Sequence, residues 1–161
     1  MTFNPVTAMI ARIQTLYLFL VALLAALSMM FPFWSFSTTK LYFITDFSSF
    51  PDAGILQVTS NYAAAIFSPL TAIVAIAAIF LYKKRELQQK LILLGMLFFL
   101  GDLLSGLAAA HFLNQYLCTC IAFTHKPEAG LFILLPEPVL LWMALKGVKK
   151  DDKIANAYKR L

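Results

Sequence analysis

The chain has 161 residues, 61% of them apolar and only 13% charged, with a formal charge of +5. Soluble domains are roughly 45–50% apolar and 25% charged, so this balance excludes an ordinary soluble domain and points to a single-domain membrane protein.

Residues 1–12 read as a short loop-like lead, with a helix starting near Thr7. The first apolar run, 13–33, is IQTLYLFLVALLAALSMMFPF. A hydrocarbon core about 30 Å thick needs roughly 20 helical residues, and this run meets that length. Arg12 flanks it, and Ala26-Leu27-Ser28 resembles a leader cleavage site. The apolar run continues through Met29-Met30-Phe31, so a retained span is expected.

Residues 34–61 form a loop rich in aromatics, Ser and Thr. The stretch KLYFITDF has strand-like composition, and Pro51-Asp52-Ala53-Gly54 is a turn signal, so a strand or hairpin on the membrane surface is expected. Phe33, Trp34, Phe36, Tyr42 and Phe43 suit an interfacial aromatic belt. The second run is 62–82. The link KKRELQQK, 83–90, is too short for a domain and forces an antiparallel hairpin with the third run, 91–112. A second loop covers 113–129. The fourth run, 130–148, GLFILLPEPVLLWMALKGV, is interrupted by Glu137 and two prolines. A charged tail, 149–161, follows, with Ile154 and Tyr158 on one helical face.

An even number of spans puts both termini and the 83–90 link on one side. That side then holds Arg12, Lys83, Lys84, Arg85, Lys90, Lys146, Lys149, Lys150, Lys153, Lys159 and Arg160, against Lys40 and Lys126 opposite. Short loops rich in Lys and Arg stay cytoplasmic. The predicted fold is therefore all-α, an antiparallel four-helix membrane bundle with a short strand-like outer loop between helices 1 and 2. Its predicted home is a bacterial inner membrane, with both termini cytoplasmic. The positive charge is an orientation code with some attraction to anionic lipid, and no nucleic-acid partner is expected.

Ionisable residues inside a span are expensive and mark functional candidates. Asp102 lies mid-span in the third run, roughly 14 Å deep. Glu137 lies roughly 10 Å deep in the fourth, so the two are placed to meet. As a site they would hold a proton or cation. As structure, a protonated Glu137 would donate to the carbonyls of Phe132 or Leu134, which Pro136 and Pro138 leave without donors. Gly95, Asp102, Ser105, Gly106 and Ala109 share one helical stripe. Ala64, Ser68, Thr71, Ala75 and Ala78 share another, and small residues at such stripes let helices pack closely.

Both histidines and both cysteines of the chain fall within 111–125, HFLNQYLCTCIAFTH. His111, Cys118, Cys120 and His125 would suit zinc or copper as a tetrahedral set, although C-x-C is tighter than the usual ligand spacing. A thiol–disulfide exchanger would need two cysteine pairs. The plainer reading makes His111 an interfacial helix cap and leaves the cysteines as thiols or a strained disulfide. No nucleophile–base constellation, phosphate loop or H-E-x-x-H motif is present, so no catalytic residue is assigned and no cofactor is expected.

Three segments carry a family resemblance: Arg12-Ile13-Gln14 within ARIQTLYLFLVALL; Lys84-Arg85-Glu86-Leu87-Gln88 in the link; and Lys146-Gly147-Val148-Lys149-Lys150-Asp151, with Lys159-Arg160-Leu161, in WMALKGVKKDDKIANAYKRL. In these the chain resembles a four-helix inner-membrane family of Bacteroidetes known as domain of unknown function 4293. The resemblance implies four spans with both ends cytoplasmic. It implies no activity and does not include the His/Cys cluster. The expected role is a non-catalytic accessory or scaffold subunit, with the lipid bilayer and other membrane subunits as partners. The rivals are a proton- or ion-coupled transporter using Asp102 and Glu137, and an outward-facing metal or thiol-redox protein.

Overall fold

The computed structural model describes residues 5–38, 40–48, 50–118 and 124–158, with side chains from 13 to 157. Helix α1 is Pro5–Ser28, with proline at its first position, where a missing N–H costs nothing. The apolar run extends to Phe33, but the helix stops five residues earlier. Met30 and Phe31 donate backward in a turn, to Leu27 and Ser28 carbonyls at 3.0 and 3.3 Å. Pro32 also disfavours helical backbone at the residue before it.

The expected hairpin is present. Strands β1 (Trp34–Ser37) and β2 (Leu41–Ile44) pair antiparallel, Trp34 opposite Ile44 and Ser37 opposite Leu41. A third strand, β3 (Thr124–Pro127), pairs with the other edge of β1 and makes the order β2-β1-β3. No sequence signal announces β3, because THKP has no strand composition; its partner edge specifies it. The aromatic belt is also only partly a belt. Phe33 and Phe36 are buried, and Phe36 is 1% exposed, because the sheet folds over the bundle instead of lying on its rim.

After a 3-10 turn at Pro51–Ala53, Gly54 takes φ 95°, and α2 (Ile55–Phe80) begins. Residues 55–61, expected in the loop, are its first turns. Gln57 and Asn61 sit one turn apart and fully buried on its inner face. Helix α3 (Arg85–Cys118) has 34 residues, about 51 Å at the helical rise, so it exceeds any hydrocarbon core. The fourth run is two helices, α4 (Ala129–Leu134) and α5 (Glu137–Tyr158), broken where Pro136 and Pro138 remove donors. The tail is not a separate helix, since α5 runs on through Asp151–Ala157. Three helical stretches, Ile55–Phe80, Arg85–Cys118 and the nearly continuous Ala129–Ala157, are long and apolar enough to cross a membrane; the apolar part of α1, Ile13–Ser28, is shorter.

Two apolar cores sit one above the other. At the end where α2 meets α3, the basic end, Leu18, Val21, Ala75, Ala78, Ile92, Leu141, Ala144 and Val148 form a continuous plug. At the opposite, sheet end, Phe33, Phe36, Ile44, Ala110, Leu113 and Leu117 pack together. Bulky apolar residues elsewhere point outward, among them Phe19, Ile66, Ile73, Leu97, Leu104 and Trp142, the pattern of a bundle solvated by lipid.

Candidate functional site

Between the two cores runs a line of polar side chains. Ser68, about two turns below Asn61 on α2, donates its hydroxyl to Asp102 Oδ2 at 2.7 Å. Ser68 and Asp102 are 1% and 6% exposed. In a membrane such an interhelical bond is worth about 0.6 kcal/mol, at most roughly 1.7. Glu137, 1% exposed at the start of α5, lies within electrostatic range of Asp102. Both carboxylates are thus buried in the same region of the bundle. One of the carboxyl oxygens of Glu137, Oε1, is buried with no hydrogen-bond partner.

A third carboxylate, missed in the sequence, completes the line. Asp46 belongs to the loop after β2, within reach of Ser68 and in electrostatic range of Asp102. Burial pushes its carboxyl above the ordinary value. The loop is held down by α2. Asn61 Nδ2 donates toward the carbonyls of Thr45, Asp46 and Ser48 at 3.0, 3.3 and 2.6 Å, and Gln57 Oε1 accepts from the Phe50 N–H at 3.1 Å. The available signal was the pair Gln57 and Asn61 on one face of a longer α2.

The line opens toward the sheet end and stops below Glu137 against the apolar plug, where Leu141, Ala144, Ala75 and Ile92 are at most 2% exposed. Thr71, 1% exposed and one turn beyond Ser68, brings the buried polar side chains of α2 to the edge of the plug, its hydroxyl donating to the Phe67 carbonyl at 3.0 Å, and the plug itself is apolar among the described residues.

The residues of the two stripes differ in burial and surroundings. Ala64 and Ala109 are buried, and Ser105 is half-buried. A Cβ on Gly106 would meet the Phe33 ring at 3.0 Å, so Gly106 admits an aromatic ring rather than α2. A Cβ on Gly95 would make ordinary contacts with Leu141 and Val74, at 3.6 and 3.8 Å.

Three of the four His/Cys residues are described. Cys118 is a free, exposed thiol at the end of α3, and Cys120 lies outside the described residues. His125, on β3, stacks near Trp34 and Phe36 with ring centroids 5.9 and 5.8 Å away. His111 and His125 line one shallow cleft of about 210 Å³ with Trp34, Phe36 and Asn114. Among the described residues no three His, Cys, Asp or Glu are grouped as metal ligands.

At the basic end a polar clasp closes the bundle. Gln14 Nε2 donates to Asp151 Oδ2 at 2.8 Å, joining α1 to α5. Arg85 donates to the Asp151 carbonyl, joining α3 to α5. Gln88 donates to the Ala78 carbonyl at 3.0 Å, joining α3 to α2. Gly147 lies under Gln14: a Cβ there would come within 2.7 Å of Gln14 Cγ.

A family model, Domain of unknown function (DUF4293), matches residues 10–161. The chain belongs to that family. No curated protein and no solved structure matches it. Within the matched span, Gln14, Arg85, Gln88, Gly147 and Asp151 meet in space at the clasp. Their spacing in sequence is unrelated, and the clasp is what they share.

Proposed function

We propose that this is a non-catalytic integral membrane protein, an accessory or scaffold subunit of a larger membrane assembly, with both termini and the 83–90 link on the cytoplasmic side of a bacterial inner membrane. The apolar plug below Glu137 carries this reading. Buried polar side chains serve to join helices at the clasp and to anchor the loop at the sheet end, while the plug separates the two sets. Outside the basic end, large apolar residues are exposed on α1, α2, α3 and α5, which suits lipid and neighbouring helices alike. Solubilisation of the native membrane in mild detergent, followed by native mass spectrometry, tests it. One protein subunit in fixed ratio is expected, and a lone monodisperse protomer from several mild detergents would contradict it.

A second reading, proton or cation coupling through Asp102 and Glu137, is favoured by one observation: a fully buried carboxyl oxygen on Glu137 without a partner. Such a group costs free energy unless it is protonated or a ligand reaches it. Asp102→Asn and Glu137→Gln keep shape while removing ionisation. Loss of ion flux in either, with the fold intact, would move the assignment to this reading.

A further inference from the structure

We infer that the cleft at the basic end is a binding site for the phosphate of an anionic membrane lipid. The cleft encloses about 550 Å³ between the α2–α3 link, the first turns of α3 and the end of α5. Lys83, Lys84, Arg85 and Lys90 line it, against Glu86 and Asp152, so four cations face two carboxylates and leave a net charge of +2.

These cations are differently employed. Arg85 is fixed by its bond to the Asp151 carbonyl, within the clasp, so its charge is held at one place on the wall. Lys83 leans toward the Tyr82 ring, 5.8 Å from its centroid. Lys84 and Lys90 are exposed and form no ion pair among the described residues, although Glu86 and Asp152 line the same cleft. Two uncommitted ammonium groups beside a fixed guanidinium are a phosphate-binding arrangement: point charges adapt to the anion while the planar fork stays in place.

The surroundings select a lipid rather than a soluble phosphate. Leu87, 43% exposed, forms part of the cleft wall, and Tyr82 and Phe80, 55% and 76% exposed, stand beside it on the outer surface of α2 and the link. A head group in the cleft would thus have its glycerol and acyl chains continue over an apolar face. This inference rests on the membrane reading above. Basic residues at a membrane surface attract anionic lipid, each by a few-fold in affinity.

The test uses the full chain in mixed micelles containing phosphatidylglycerol and phosphatidylcholine of matched chain length, with bound lipid counted by native mass spectrometry. Retention of one phosphatidylglycerol in preference is expected. Lys84→Gln and Lys90→Gln are each expected to lower that preference about fivefold, and Glu86→Gln to raise it. Lys149→Gln, on α5 away from the cleft wall, is expected to leave it unchanged. Four results overturn the site: no preference in the wild type, no drop in Lys84→Gln or Lys90→Gln, an equal drop in Lys149→Gln, or displacement of the lipid by millimolar glycerol 3-phosphate or inorganic phosphate, the last assigning the cleft to a soluble anion. Alkaline carbonate extraction separates the two levels. A chain stripped from native membranes contradicts the membrane reading and this site with it; a chain that stays but shows no lipid preference contradicts the site alone.

Discussion

Asn61→Leu is expected to release the loop after β2 from the bundle while α2 and α3 stay paired. Asn61 is 2% exposed, and its amide serves the carbonyls of Thr45, Asp46 and Ser48. A leucine of similar size removes every donor and leaves buried acceptors without partners, a loss of about 1–3 kcal/mol. Amide exchange in residues 40–48 should accelerate well above that in α3. Asn61→Asp, nearly isosteric but without donors, should match it; rescue by Asn61→Asp would show that volume and not donation holds the loop. Because that loop carries Asp46 toward Ser68, the same variants should separate the third carboxylate from the other two.

Gly130→Ala is the second large effect. Gly130 donates its N–H to the Pro32 carbonyl at 2.9 Å, and a Cβ there would stand 2.7 and 2.8 Å from the carbonyl oxygens of Phe31 and Pro32. Those are backbone atoms tied into the crossing that leads to β1, next to the Glu128 N–H bond to the Phe33 carbonyl at 3.1 Å. They cannot swing aside as a side chain can, so overpacking should cost about 1–3 kcal/mol and lower the melting temperature in detergent. Gly95→Ala is the matched comparison. Its new methyl meets only ordinary contacts, and helix propensity favours alanine by about 1 kcal/mol, so stability should hold or rise. Equal losses in the two variants would refute the close-approach argument.

The mostly helical architecture, the hairpin and the burial of Asp102 and Glu137 are legible because hydrophobic length, turn signals and charges inside apolar runs are all properties of local sequence. What escaped was non-local. Strand β3 exists because β1 offers an edge, and nothing within Thr124–Pro127 states this. Asp46 read as a loop residue, since its burial depends on Asn61 and Gln57 pulling the loop inward. His111 and His125 share a cleft because strand pairing sets His125 against Trp34 and Phe36 of β1, a non-local contact that their closeness in sequence does not state. The clasp residues were visible as a resemblance before their contacts were known, and only the fold explains why Gln14, Arg85 and Asp151 belong together.

The claim that the carboxylate line ends at the apolar plug is open to one direct measurement. The purified chain, reconstituted into sealed vesicles with an imposed pH gradient and membrane potential, should pass protons no faster than protein-free vesicles, and Asp102→Asn and Glu137→Gln should behave as the wild type does. Proton flux above that background, abolished by either substitution while the protein remains folded, would contradict it and make the buried carboxylates a conducting site.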